Sequence, residues 1–272
     1  MFSFKQFTIR QERTAMKVCT DACVLGAYAD LGEGGRVLDI GTGTGLLALM
    51  AAQRNPTALI DAVEVDEAAF GQASENVTVS PFAERVNVVH ERIQDFNLIP
   101  GSTPITGERK LGIPDSSPLS YNSRGAGDEV FYDRILTNPP FYTNHLRSPD
   151  KAVNRALHTN ELPFPELISS VVRLMKPAGE WWVLLPPYET EKLIELTQGT
   201  GLEPFKQLFL RHNAQKPVFR VVTGFSFRNS SVKQETLTIY KTSKQTEPGK
   251  NQPRETYTSE FRELLRDFYL IF

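Results

Sequence analysis
The sequence predicts an α/β fold with a doubly wound, mostly parallel sheet, Rossmann-like in layout, an antiparallel strand at its edge and a short N-terminal extension. Three observations predict it. Short apolar runs alternate with helix-forming stretches at the rhythm of βαβ units. A strand, a glycine-rich turn and a strong helix former follow one another as RVLDI, GTGTG and LLALMAAQR over residues 36–54. Polar residues also punctuate the ends of the expected strands at Asp39, Glu64 and Asn138, where open α/β sheets bind their ligands.

Taken in order, residues 1–16 read as an extended or hairpin-like start, with Phe2, Phe4 and Phe7 interleaved with polar residues. Residues 20–31 have helical apolar spacing, with Thr20 or Asp21 as the expected cap. The first sheet strand is 36–40, and the helix after the glycine turn leads to a second strand at 58–65. A helix at 67–79 and a third strand at 85–90 follow. The stretch 97–129 is rich in Pro, Gly and Ser with almost no apolar clustering, the composition of an insertion that builds no core. Regular structure returns with a fourth strand at 130–137, which runs into Asn138-Pro139-Pro140-Phe141. Helices at 164–176 and 189–198 flank an apolar strand at 180–185, whose Trp181 and Trp182 suit a core. Further β-rich runs cover 203–211, 218–228 and 235–241. Residues 243–255 are polar, and SEFRELLRDFYLIF closes the sequence as an amphipathic helix. No internal repeat is present, so 1–272 reads as one domain, with 1–35 as extension plus first helix.

Composition narrows the function classes. Hydrophobic residues make up 40% and charged residues 23%, ordinary for a folded protein with a core. The net charge of -2 does not announce a polyanion binder, so any nucleic acid must be met by a local basic patch. The N-terminus is too polar for a signal peptide, and no apolar run approaches the ~20 residues of a membrane span. Cys19 and Cys23, together with His90, His145, His158 and His212, show no metal-ligand spacing, and the two thiols read as reduced. A cytoplasmic protein without membrane or metal is expected, acting as a monomer.

The glycines of DIGTGTG allow a tight turn after the strand and a close approach of a ligand to the backbone and helix N-terminus. Such a turn also occurs as an ordinary strand–helix corner. Glu64, at the end of the second strand, is placed to accept ribose hydroxyls, as in a dinucleotide site. Two details favour S-adenosylmethionine over a dinucleotide. The pattern is G-T-G-T-G behind Asp39, so a carboxylate can serve an amino-acid ammonium where no pyrophosphate is required. A third acid, Asp95, follows the third strand and can accept an adenine amino group, or can act as a cap or loop acid.

Asn138-Pro139-Pro140-Phe141 points to the chemistry. An exocyclic amine on a base is a poor nucleophile because its lone pair is delocalised into the ring. Two acceptors aimed at its hydrogens, the Asn138 amide oxygen and the Pro139 carbonyl, would localise that pair. The prolines stiffen the loop, and Phe141 offers a stacking face for an extruded base. A strand-terminating turn is the plainer reading of Asn-Pro.

These motifs in this order resemble the class I amino-methyltransferases with an (N/D)PP(Y/F) signature. The opening FKQFTIRQERTAMKVCTDACVLGAYA, the segment LRSPDKAVNRALHTNEL and the ending DFYLIF resemble, more specifically, the bacterial tRNA1(Val) (adenine-N6)-methyltransferases. That family modifies the adenine 3′ of the anticodon, position 37. The resemblance covers nearly the whole chain except 97–129. It implies that Asp39, Gly41, Gly43 and Gly45 line the methionine part of the cofactor, and that Thr20 and Asp21 lie near its carboxyl and amino groups, with Lys17 nearby. It further implies that Glu64 holds the ribose, that Val65 lies against the adenine ring, that Asp95 and Phe96 hold the adenine, and that Asn138 to Phe141 hold the target base. A tRNA would be met by basic residues: Lys5, Arg10, Arg13 and Lys17 early, Arg147, Lys151 and Arg155 after the catalytic loop, and Arg211, Lys216 and Arg220 late. Each of these is equally at home on a solvated face. Three alternatives stay open: guanine-N2 methylation of rRNA, glutamine-N5 methylation of a protein, and a silent module that binds S-adenosylmethionine or RNA. Glutamine methyltransferases carry an N-terminal helical bundle, for which the about 35 residues before the first sheet strand leave no room.

Overall fold
The computed structural model describes residues 1–14, 17–97, 131–140, 162–228, 231–246 and 253–272. It begins with a hairpin of β1 (Phe2–Ser3) and β2 (Thr8–Ile9), paired antiparallel. The helix α1 (Thr20–Tyr28) follows. Its N-cap is Cys19, whose side chain makes no cap hydrogen bond, so the expected cap lies one position late: Thr20 is already the first helical residue.

The core is an eight-stranded sheet in the order β10-β8-β9-β7-β6-β3-β4-β5. Its first half comprises β3 (Arg36–Ile40), β4 (Leu59–Glu64) and β5 (Val86–His90). These are joined by α2 (Leu46–Arg54) and α3 (Glu67–Thr78). The second half comprises β6 (Tyr132–Thr137), β7 (Met175–Leu185), β8 (Glu203–Arg211), β9 (Val218–Ser226) and β10 (Lys233–Thr238). The helices α4 (Phe164–Leu174) and α5 (Pro187–Thr197) flank β7 in sequence. Every neighbouring pair in the sheet is parallel except the two made by β9. The antiparallel strand expected toward this edge is therefore β9, third from it.

Period-2 alternation sends successive strand residues to opposite faces. Val37, Leu136 and Trp182 join α1 and α2 in one apolar cluster, whereas Leu38, Ile135 and Trp181 join α4 and α5 in the other. That two-sided burial is what winding the helices onto both faces produces. Both tryptophans are core, as their strand position suggests.

The structure adds a hairpin of β11 (Tyr240–Thr246) and β12 (Pro253–Tyr257) within the run read only as polar. The final helix, α6 (Ser259–Leu265), does not run to the last residue. Beyond it Phe268 and Tyr269 turn inward, 2% and 7% exposed, and Tyr269 bridges to Phe4 of the N-terminal hairpin. Lys5 donates its ammonium to the carbonyls of Arg266 and Phe272, at 2.5 and 2.9 Å.

Candidate active site
The sheet register brings three of the expected residues together. Ile40 on β3 lies opposite Val63 on β4 and Thr137 on β6. The next residues, Gly41, Glu64 at the end of β4 and Asn138, therefore emerge side by side at one edge. With strands ~4.8 Å apart, the backbones at Glu64 and Asn138 are about 10 Å apart, with the glycine turn between them.

The turn is bent over β4: the amides of Gly41 and Thr42 both donate to the Val63 carbonyl, at 2.9 and 3.1 Å. Gly41 and Gly43 adopt φ of 69° and 58°, the left-handed region that strains any residue with a Cβ. A Cβ at either would meet no atom of the described residues within 4 Å. The glycines thus leave clear space on the outside of the turn for something other than the chain. Gly45 plays another part, as the N-cap of α2, packed with its would-be Cβ 3.6 Å from Ala73.

Asp39 lies beneath this turn with no exposure. Its Oδ2 accepts from the Thr42 hydroxyl at 2.5 Å and from the Ala48 amide at 3.1 Å, while its buried Oδ1 has no partner among the described residues. Burial pushes its carboxyl up to about 7, and the nearby Glu64 charge adds to the rise. Glu64 is also buried but well supplied with donors. Its Oε2 accepts from Gly43 N–H at 2.8 Å, and its Oε1 accepts from Val65 and Asp66 N–H, each at 2.9 Å. A carboxylate offers about four lone-pair sites, so these three leave one acceptor direction.

The remaining candidates fall into distinct settings. Val65 is 42% exposed at the tip of β4, and its carbonyl is 3.0 Å from the His90 ring nitrogen. Asp95 is exposed and 3.9 Å from Arg92, whereas the Phe96 ring is buried in the core with Leu38 and Val63. Thr20 opens α1, and Asp21 pairs with Arg220 of β9 at 2.9 Å. Asn138 is half-buried, Pro139 buried and Pro140 exposed; Phe141 lies outside the described residues. Thr137, just before Asn138, is fixed by the Trp181 ring N–H at 3.1 Å.

Several of the basic residues proposed for RNA have partners within the chain. Lys5 binds the C-terminal carbonyls, Arg13 pairs with Glu75, Lys17 donates to the Gln11 and Thr14 carbonyls, and Arg211 donates to Thr238. Lys216 is exposed in the β8–β9 connection, Arg10 is exposed, and Arg147, Lys151 and Arg155 lie outside the described residues. Cys19 and Cys23 are free thiols. Among the described residues there is no metal-holding group of His, Cys, Asp or Glu, and no helix long and apolar enough to cross a membrane.

Sequence reasoning missed Gln72 and Asn76 on α3. Both are almost fully buried beside Ala69, Ala73 and Val77 on the inner stripe of that helix. The signal was available: two amide side chains four apart at positions where helical spacing demands apolar ones.

The profile of the family described as Methyltransferase small domain matches residues 24–99, the stretch that carries the glycine turn and Glu64. A tRNA1(Val) (adenine(37)-N6)-methyltransferase of Dyadobacter fermentans is 40% identical over 274 residues, covering 100% of this chain and 98% of the relative. The chain belongs to the tRNA1(Val) (adenine(37)-N6)-methyltransferase family. A Bacteroides fragilis protein of the same name is 35% identical, covering 99% of this chain and 97% of its own length. In fold, the chain is similar to a crystal structure of a predicted O-methyltransferase from Agrobacterium tumefaciens, with a TM-score of 0.54 at 16% identity, covering 91% of this chain and 96% of that one.

Proposed function
We propose that this protein transfers the methyl group of S-adenosylmethionine to N6 of an adenine in tRNA, the adenine 3′ of the anticodon (position 37) of tRNA1(Val). The observation that carries this reading is the register at β3 and β6, which sets Asn138-Pro139 beside the open glycine turn, in a chain that matches full-length relatives named for that reaction. A cytoplasmic monomer goes with it, as does substrate contact by exposed basic residues such as Lys216.

The residues present suit the cofactor. Gly41 and Gly43 leave room against the backbone, Glu64 retains an acceptor direction for a ribose hydroxyl, and Asp39 has a carboxyl oxygen with no partner of its own. Val65 presents an exposed apolar surface for an adenine ring, and the exposed Asp95 offers an acceptor for its amino group. Thr20 and Asp21 stand at the N-terminus of α1, where helix amides attract a carboxylate. S-adenosylmethionine, when bound, supplies a methyl group on a sulfonium sulfur, an electrophile that needs only a well-aimed lone pair.

The chain's part is to aim it. The Asn138 side-chain oxygen and the Pro139 carbonyl accept the two amino hydrogens, which favours pyramidal nitrogen and frees its lone pair. Pro139 and Pro140 fix where that carbonyl points. The Trp181–Thr137 hydrogen bond holds the strand end from which Asn138 projects. The amine becomes acidic as it is methylated and releases its proton to water, so no strong base is required. Stacking of the extruded base falls to Phe141. An anticodon-loop base is already partly unpaired, so extruding it costs less than flipping one from a duplex.

The test is to map N6-methyladenine in purified valine tRNA from cells with and without the gene, and to restore it in vitro with the protein and S-adenosylmethionine. The mark at position 37 should vanish without the gene and return with the enzyme. An unmodified position 37 in both strains, with a guanine-N2 mark lost from rRNA in the mutant, would replace this reading.

A further inference from the structure
Asn76 is fully buried on α3, and its amide bridges two segments that are distant in sequence. Its Oδ1 accepts from the Arg10 amide at 2.9 Å, and its Nδ2 donates to the Arg10 carbonyl at 2.8 Å. The same Nδ2 donates to the carbonyl of Thr44, in the glycine turn, at 2.9 Å. One turn earlier Gln72 accepts from the Arg13 amide at 3.4 Å, and Arg13 pairs with Glu75. Gln11 continues the line by accepting from the Val18 amide at 2.7 Å, just before α1 begins at Thr20.

We infer that Asn76 is a positioning residue for the cofactor turn, locking the extended segment at Arg10 to the carbonyl of Thr44. The inference rests on the reading that S-adenosylmethionine lies on that turn. Two of the three bonds mimic a strand pairing to Arg10, and the third reaches Thr44. Such a residue sets the shape of the glycine turn without touching the cofactor. It also couples the turn to the segment that leads into Thr20 and Asp21. A merely structural role would ask only that the side chain be satisfied somewhere. Here both amide hydrogens are aimed, and one of them at the turn whose two outer glycines face open space.

Asn55 provides an internal control. It is an equally buried amide, donating to the carbonyls of Leu31, Gly32 and Gly34 far from the turn. Three proteins are compared by calorimetry with S-adenosylmethionine, by thermal melting and by steady-state methylation of valine tRNA: wild type, Asn76→Ala and Asn55→Ala. Asn76→Ala should weaken cofactor affinity by about 10-fold. The KM for S-adenosylmethionine should rise by a similar factor with kcat little changed. Asn55→Ala should lower the melting temperature comparably and leave cofactor affinity as in wild type. If Asn76→Ala does not accumulate as folded protein, Asn76→Asp is read in its place. Asp keeps the acceptor toward the Arg10 amide and loses the donor to the carbonyls of both Arg10 and Thr44, so the same loss of affinity is expected. Equal cofactor affinity in wild type and the folded Asn76 variant overturns the inference, as does an equal loss in Asn55→Ala. A wild-type protein that does not bind S-adenosylmethionine overturns the reading of the site instead.

Discussion

The two edges of the central sheet spend the same kinds of side chain in opposite ways. At the amino edge most buried polar groups satisfy one another, although the Arg36 Nε has no partner among the described residues. Asn55 donates to three carbonyls in the loop before β3 and accepts the amides of Gly34 and Ala58. Arg85 caps the carbonyls of Ala52, Asn55 and Ala58, and Arg54 caps those of Gly26 and Ala29. At the carboxyl edge the backbone opens: Gly41 and Gly43 face space, Val65 is exposed, and a buried Asp39 oxygen has no partner. The contrast teaches that buried amides and carboxylates do not mark a site by themselves. What marks it is polar capacity that the chain leaves unspent beside backbone that has been kept clear.

If that contrast is correct, substitutions at the two edges should move different measurements. The largest effect belongs to Asn138→Ala, which should lower kcat by ~100–1,000-fold, the usual loss on removing one well-placed partner of a transition state. Its cofactor affinity and melting temperature should stay near wild type. A variant that keeps most of its activity would break the amine-clamp reading. At the other edge Asn55→Ala should cost about 2–3 kcal/mol of stability, because several buried groups lose their partner together. Denaturant titration reads that loss, and a change in kcat beyond twofold would show that the amino edge is not purely structural.

Glu64→Ala should weaken S-adenosylmethionine binding by ~1–3 kcal/mol, since both the ribose partner and the three amide bonds that shape the turn go at once. Unchanged affinity in calorimetry would remove Glu64 from the site. A pH effect concerns Asp39. Burial holds its carboxyl near 7 in the folded protein against an ordinary 3.8, so the folded state binds the proton more tightly than the unfolded one. Its contribution to stability is therefore full below about pH 4 and is lost as pH rises toward 7. Asn at this position has no proton to lose, so the stability of Asp39→Asn should fall less steeply than wild type between pH 4 and 7. Parallel profiles would assign the proton elsewhere.

The sheet half from β3 to β5 was legible in the sequence because its strands are short apolar runs with glycine or acid stops, and every boundary lies within a residue or two of expectation. The glycine turn and Asn138 were legible for the same reason, since both end strands whose neighbours are in register. Asn76 was overlooked, although its spacing from Gln72 on the apolar stripe of its helix carried the signal. The β11–β12 hairpin was hidden because its strands are rich in Lys, Thr, Gln and Glu and show no apolar alternation. The last helix was overextended for a different reason. Phe268 and Tyr269 keep helical spacing in sequence, yet both leave the helix for the core, and Tyr269 is drawn into ring contacts with Phe2, Phe4 and Phe272. Tertiary contact overrides local propensity there.

That aromatic cluster also sets an order of assembly. Lys5 reaches Arg266 across 261 positions, so the opening hairpin docks only when the far end of the chain has arrived. On a ribosome, β3, β4 and β5 have neighbours close in sequence and can pair early, whereas β6 pairs back to β3 from much further along the chain, and β7 then adds outside it. The segment at Arg10, held by Asn76 on one side and tethered through the hairpin on the other, is then among the last parts to settle. On the proposed reading of the site, the segment fastened to the methyl donor's turn is accordingly a late addition to each chain. A nascent chain can own its glycine turn well before it owns the wall beside it.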